Sequence, residues 1–284
     1  LIVSLIGLLQ YQGIHLIPFP HARWGNFGVS TLGNPNFVAH YLELSIILVI
    51  GMLIACRRRV EKVGLGALLV VELYYLLAIR SRGGWLALGA GLVTLIIFYR
   101  SLLSRRVWLT GGLIILMLAL MGWVLIDRVP TDGEGHLSAV VEEIREISDR
   151  ALSTFDPEHF SVLQRRLVWA DTIALIADQP VLGVGTGNFE FSLPTYRTTA
   201  RQRSWEELIP NRPHMPYYAH NEYLEVWAEN GIFGLGAVLW LLGSLLWVGR
   251  RVLQSTTETA PRALQASFLA AMVAALTHGF FSLN

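Results

Sequence analysis

Long apolar stretches divide this chain and decide which folds are open to it. A helix needs about 20 residues to cross a bilayer, and several runs approach that length. Hydrophobic residues make up 53% of the chain and charged residues only 15%, which is too apolar for an ordinary soluble domain. The sequence therefore predicts an all-α, multi-span helical membrane protein. The predicted spans are residues 1–17, 35–56, 63–79, 85–99, 107–126, 232–249 and 263–281.

One long polar stretch separates the fifth span from the sixth. We expect a first part of the transmembrane bundle over 1–126, a loop over 127–231, and the last part of the bundle over 232–284. The chain begins inside an apolar run without a methionine, so we expect a slice of a longer protein.

The long loop shows internal order. Apolar residues recur at helical spacing over 138–152 and 162–177, which predicts two amphipathic helices. Residues 196–218 hold several arginines and prolines, and they predict an irregular lid. Residues 219–231 carry acidic residues at helical spacing and end in Asn-Gly. They predict a short helix along the membrane surface that stops at this pair.

Arginine placement predicts which side of the membrane each loop occupies. The short loops after the second, fourth and sixth spans hold ten arginines and lysines, against three after the first and third. Cytoplasmic loops are the richer in these residues, so the long loop is expected on the outer face. The ten are Arg57, Arg58, Arg59, Lys62, Arg100, Arg105, Arg106, Arg250, Arg251 and Arg262, and the three are Arg23, Arg80 and Arg82.

Charge and cysteine content exclude two classes of protein. The net charge is +1, which gives no reason to expect a nucleic-acid partner. The single cysteine, Cys56, excludes a disulfide framework and a cysteine-based zinc site.

His220 is the first candidate for chemistry, because it opens the predicted surface helix. A helix N-terminus disfavours positive charge, so the imidazole should stay neutral. A neutral imidazole at a wet membrane surface can serve as a general base. The plainer interpretation is that His220 only caps the helix.

Arginines supply the second set of candidates. Arg82 stands between two apolar spans, where a charge is costly unless it faces a wet cavity, and Gly83 and Gly84 would let the backbone break there. Arg165 and Arg166 could add guanidinium groups from the loop. Such groups suit a diphosphate, which they bind in bidentate fashion. No Asp-x-Asp motif is present, so arginines rather than a metal are expected to neutralise it. Snorkelling to lipid headgroups is the alternative for Arg82.

The glycine-rich stretch 183–189 is not a dinucleotide-binding fingerprint, because it follows a helix and a proline. It predicts either a tight turn or open N–H groups that hold an oxyanion.

The chain resembles the O-antigen ligase family in four motifs and in their order. They are Gly33-Asn34-Pro35-Asn36, Ser81-Arg82-Gly83-Gly84-Trp85, Leu182 to Phe189, and His220 to Leu224 followed by Glu229-Asn230-Gly231. An arginine one turn before a tryptophan, here Arg165 with Trp169, fits as well. The resemblance spans nearly the whole chain.

This resemblance implies a glycosyltransferase of the bacterial inner membrane with a periplasmic loop. Members move a glycan from undecaprenyl diphosphate to an acceptor hydroxyl on lipid A core, glycan or protein, without a metal or another cofactor. It implies that His220 is the catalytic base, and that Arg82 with one of Arg165 and Arg166 binds the diphosphate. Arg165 is preferred for its spacing to Trp169. The supporting residues would be Asn34, Asn36, Gly185, Asn188, Asn221, Glu222 and Tyr223.

A secondary transporter for a small anion such as bicarbonate is the alternative. Such proteins place polar groups near the bilayer midplane, often in repeated halves, and no such repeat is found. The spans hold few polar residues apart from Glu43 and Glu72. For each of them two interpretations stay open: a carboxyl in the core that is held by a hydrogen bond, or a relay group.

Overall fold

The computed structural model describes residues 1–15, 28–99, 142, 144–149, 160–208 and 218–281. Helices dominate these ranges and no strand occurs in them, which confirms the all-α prediction. The helices are α1 Ile2–Tyr11, α2 Pro35–Ala55, α3 Arg59–Ile79, α4 Arg82–Tyr99, α5 Phe160–Asp178, α6 Phe189–Ser192, α7 Thr199–Leu208, α8 Glu222–Ser255 and α9 Thr259–Phe280.

Five of these helices, α2, α3, α4, α8 and α9, are long and apolar enough to cross a membrane. They confirm five of the predicted spans and make the chain a multi-pass membrane protein. The first predicted span is wrong at its end: α1 stops at Tyr11, and Gly13 turns the chain with φ of 81°. The predicted span 107–126 lies outside the described residues, as does most of 138–152, of which 144–149 is helical.

The start of α2 follows its sequence signals. Asn34 is the N-cap, and its side chain accepts a hydrogen bond from the backbone N–H of Asn36 at 2.8 Å. Pro35 occupies the first helical position, where its missing N–H costs nothing. Helix α2 therefore begins as predicted.

The break between α3 and α4 differs from the prediction. Arg80 ends α3 in the left-handed conformation with φ of 56°, and α4 already begins at Arg82. Gly83 and Gly84 are thus helical and do not form the break. Their lack of a side chain serves packing instead, because a Cβ on Gly84 would lie 2.9 Å from the Ala39 Cβ.

The membrane core is built around α9, which packs against α2 and α4. Small residues make the approach possible: a Cβ on Gly91 of α4 would lie 3.1 Å from the Ala274 Cβ. Such contacts are typical of helix interfaces in membranes. The buried small residues along α9 are Ala263, Ala266, Ser267, Ala270, Ala271 and Ala274.

A second buried cluster lies in the loop region, around α5. Helix α5 confirms a helix over 162–177, but its buried face is not simply the apolar one, because Ile173 is 57% exposed and Asp171 is fully buried. The predicted irregular lid is wrong for residues 199–208, which form α7. Asp171 of α5 accepts hydrogen bonds from Arg197 and Arg201, and Trp205 is 2% exposed. These contacts fasten α7 to α5, while 209–217 lie outside the described residues.

Helix α8 changes direction where the surface helix was predicted to stop. Gly231 has φ of 65° and ψ of −172°, which is not helical. A Cβ there would lie 1.9 Å from the carbonyl oxygen of Val181. The glycine-rich turn thus packs against the kink and allows only glycine at this position.

Candidate active site

Arginines from two distant parts of the chain line one cavity of about 170 Å³. Arg82 comes from the first turn of α4, and Arg165 and Arg166 come from α5. Gly83, Leu86, Val162, Trp169 and Phe281 complete the lining. Three guanidinium groups around one cavity form a setting for a polyanion.

The conformation at the start of α4 places Arg82 in this cavity. The Ser81 hydroxyl donates to the Asn36 side-chain oxygen at 3.2 Å and accepts from the Gly84 N–H at 3.4 Å. Arg82 itself is only 5% exposed, so the snorkelling alternative does not fit. Asn36, predicted as a supporting residue, therefore connects α2 to the residue before Arg82.

His220 stands next to the same wall. Trp169, which lines the cavity, donates its indole N–H to the backbone oxygen of Ala219 at 2.8 Å. The Glu225 carboxylate accepts the Ala219 N–H at 2.8 Å. Between these contacts and the following helix, His220 adopts the left-handed conformation with φ of 56°. Such a conformation is uncommon for a residue with a side chain, and the neighbours on both sides hold it.

Asn221, not His220, caps α8. Its side chain accepts the N–H groups of Tyr223 at 3.0 Å and Leu224 at 3.1 Å. The capping interpretation of His220 is therefore wrong, and the imidazole is left for another role. Its Nδ1 atom is buried and has no hydrogen-bond partner among the described residues.

The His220 imidazole is neutral at neutral pH, as expected, and its burial is the main cause. Burial lowers the pKa of His220, and the nearby Arg165 charge lowers it further, to about 4. Burial disfavours the charged form because it removes water, and a like charge adds repulsion. Arg165 is thus placed near both the candidate base and the cavity.

The glycine-rich stretch holds α8 and does not open toward a ligand. Val184 and Gly185 donate their N–H groups to the carbonyls of Ala228 and Glu229, at 3.0 and 2.8 Å. The N–H of Asn188 donates to Gly185. These contacts favour the tight turn over the oxyanion alternative. Gly185 and Asn188, predicted as supporting residues, therefore do not line the arginine cavity and lie in the turn that contacts the first part of α8.

Two other predicted supporting residues connect α8 with α9. The Tyr223 hydroxyl donates to the backbone oxygen of Leu276 at 2.8 Å. A Cβ on Gly279 would lie 3.4 Å from the Cγ of Glu222. Both residues thus lie against α9.

Sequence reasoning missed the contribution of the C-terminal end of α9. Phe280 packs edge-on against Trp169, with ring centroids 6.1 Å apart, and Phe281 lines the cavity. No local pattern marks this end, because its role depends on residues far away in the chain. The same holds for His278, which joins His40 and Glu43, three residues apart on α2, in the one group of potential metal ligands found among the described residues. None of the three lines the arginine cavity.

Comparison with known proteins gives one match. Residues 65–239 match a family described as O-antigen ligase, whereas no curated protein and no solved structure matches the chain. The match does not support the transporter alternative. It covers more than half of the 284 residues and includes Arg82, Arg165, Arg166 and His220. The chain therefore belongs to the O-antigen ligase family and is, at the level of that family, a membrane glycosyltransferase.

Proposed function

We propose that this protein transfers a glycan from undecaprenyl diphosphate to an acceptor hydroxyl, with inversion at the anomeric carbon and without a metal at the diphosphate. The observation that carries the proposal is the convergence of Arg82, Arg165 and Arg166 on one cavity beside His220. These residues come from segments about 80 residues apart, and an inert scaffold has no need of them in one place.

The proposed reaction uses His220 as the general base. The neutral imidazole takes the proton of the acceptor hydroxyl as the oxygen forms its bond to the anomeric carbon. The bond between that carbon and the diphosphate oxygen breaks on the opposite face, which inverts the configuration. Arg82 and Arg165 stabilise the charge of the departing diphosphate, and Arg166 adds to the positive field. The proton remains on His220 until product release.

An apolar cavity next to the base suits the tail of such a donor. It has a volume of about 230 Å³ and lies between α8 and α9. Glu222 and Tyr223, just after His220, form its polar end. The rest is apolar and belongs to two candidate membrane-spanning helices: Val226, Val238, Leu242, Met272, Ala275, Leu276 and Gly279. An isoprenoid chain in this cavity would be close to the His220 segment and in contact with lipid.

We place the active site on the periplasmic side of the inner membrane, with the loop 127–231 facing outward. The arginine bias of the short loops supports this orientation. The acceptor would be a hydroxyl of lipid A core, of a second glycan chain or of a protein.

The test is transfer by the full-length protein in proteoliposomes. An undecaprenyl-diphosphate glycan is offered with each class of acceptor in buffer without added Mg²⁺ or Mn²⁺, and linked product is measured by mass spectrometry. Product should form with one acceptor class, with inverted configuration by NMR. Added Mg²⁺ or Mn²⁺ should change the rate less than twofold. Arg250→Gln, on the predicted cytoplasmic side, is the control. Product from the His220→Ala variant at the wild-type rate would refute the assignment.

A further inference from the structure

Three potential metal ligands meet where α2 and α9 touch. The Glu43 carboxylate places one oxygen 2.8 Å from His40 Nδ1 and the other 2.8 Å from His278 Nδ1. The two imidazole rings are 4.6 Å apart between centroids. One ligand atom from each residue lies within 4.8 Å of the other two. Two nitrogens and one carboxylate oxygen thus surround one point.

The cluster lies near the end of the membrane-spanning bundle that carries Arg82. His40 is in the second turn of α2, within about 8 Å of its first residue at 1.5 Å per residue, and His278 is in the last turn of α9. The His40 side chain is 41% exposed, whereas those of Glu43 and His278 are 0% and 7% exposed. An ion from the wet face would reach the buried ligands along His40.

Burial of the Glu43 carboxylate requires an explanation. Among the residues that the structure describes, the hydrogen-bond partners of this carboxylate are the two imidazoles, and no arginine or lysine forms an ion pair with it. Each imidazole makes one hydrogen bond with the carboxylate. Buried charges in proteins are paired or coordinate metals. A divalent cation bound to all three residues would balance the charge of the carboxylate and be coordinated by one nitrogen of each ring.

We propose that His40, Glu43 and His278 bind one divalent transition-metal ion of the Zn²⁺ class. Two imidazole nitrogens exclude Mg²⁺ and Ca²⁺, which prefer oxygen, and two histidines with one carboxylate are an established donor set for Zn²⁺. Bonds of about 2.0–2.2 Å to a tetrahedral ion separate neighbouring donors by about 3.3 Å. The nitrogen–oxygen distance of 2.8 Å at the coordinating oxygen would therefore open by about half an ångström, and the other donors, which lie within 4.8 Å of one another, would adjust to the same separation. Water would take the fourth position on the His40 side.

This ion would fasten α2 to the end of α9, outside the transfer reaction. None of the three residues lines the arginine cavity. His278 lies behind its wall, since a Cβ on Gly83 would lie 3.9 Å from the His278 Cε1. Phe280 and Phe281 follow two and three residues later and contact Trp169 and the cavity. Metal binding would thus hold in place the segment on which the cavity depends.

Metal content and spectra test the proposal without any activity measurement. The full-length protein is purified in detergent with a tag free of histidine, dialysed against buffered Zn²⁺, and assayed by mass spectrometry of the metal. About one equivalent is expected for the wild type, and less than a tenth for Glu43→Gln and His278→Gln. Glu72→Gln is the matched control, because Glu72 is an equally buried carboxylate that accepts from Ser45 at 2.7 Å and lies outside the cluster. It should retain one equivalent.

Co²⁺ provides the second readout. In the wild type it should give the intense visible bands of a four-coordinate site, and His40→Ala, a change at a half-exposed position, should abolish them. Variants are compared only as monodisperse protein. Wild type and Glu43→Gln with equal metal content would overturn the proposal, as would a wild type that holds less than a tenth of an equivalent. Either result would show that the three residues are joined by hydrogen bonds and bind no metal ion.

Discussion

The pH dependence of transfer tests the environment of His220 directly. Burial and the Arg165 charge lower the pKa of His220 to about 4. The base is active when neutral, so activity should be lost only as the pH falls through that value. At pH 5.5 a group with pKa 4 is about 97% neutral, whereas an ordinary histidine with pKa 6.5 is about 9% neutral. The two cases differ about tenfold in rate at one accessible pH.

The measurement is kcat/KM for the lipid-linked donor between pH 3.5 and 8. This parameter reports groups of the free enzyme, the state to which the lowered pKa belongs. We expect a flat profile from pH 5.5 to 7.5 and an acid limb between about pH 3 and 5. An enzyme-free incubation corrects for acid hydrolysis of the donor. An acid limb at pH 6–7 would show that His220 is exposed or is not the base.

Arg165→Gln separates the two causes of the shift. Removal of the neighbouring positive charge should move the acid limb upward, but burial, the larger cause, keeps it below the ordinary value near 6.5. Arg166→Gln is the matched control, because Arg166 lines the same cavity but is not a cause of the His220 shift. This variant should lower kcat/KM for the lipid-linked donor without moving the pH of the acid limb. Equal displacement by both variants would contradict the placement of Arg165 next to His220.

Other substitutions test individual contacts. His220→Ala should lower transfer about 10²–10⁴-fold, while membrane insertion, followed by protease protection, stays normal. Arg82→Lys keeps the charge but loses the planar fork; a KM for donor raised at least tenfold is expected, and a wild-type KM would argue against diphosphate binding there. Gly231→Ala places a Cβ 1.9 Å from the Val181 oxygen, so the melting temperature should fall by several degrees. Gly236→Ala, with nothing within 4 Å of the new Cβ, should leave it unchanged or slightly higher.

Local signals account for the parts of the fold that the sequence predicted well. Asn34 and Pro35 mark a helix start through their own side chains, and Gly231 marks a kink through its backbone freedom. Such features depend on neighbours in the chain, so a single sequence reveals them. The glycines after Arg82 were misread for the opposite reason. Their importance lies in the approach of α2 and α9, which no local pattern shows.

The candidate site likewise has features that local sequence predicts and features that depend on distant contacts. Arg82 was identifiable because a charge between apolar spans is costly, and His220 because it opens a predicted helix at the membrane surface. Arg165 was singled out only by its spacing to Trp169 and by the family resemblance. The reason for the neutral imidazole was not predictable, because burial depends on how Trp169 and the 219–221 segment pack. Glu43 predicts either a core carboxyl or a relay, and the structure holds it by hydrogen bonds. Its partner His278 could not be predicted, since it lies 235 residues away; the spacing of three residues between His40 and Glu43 was a local signal that sequence reasoning missed.

The end of α9 connects the two halves of the proposed site. Leu276 accepts the Tyr223 hydroxyl, Phe280 packs on Trp169, and Phe281 lies against Gly83. The segment that follows His220 and the segment that carries Arg82 thus both contact the last turn of α9. Because that turn is also the place where Glu43 meets His278, a loss of the Glu43 contact should loosen both halves together. A substitution on one side of the cavity alone, for example at Arg166, should leave these contacts at the end of α9 unchanged.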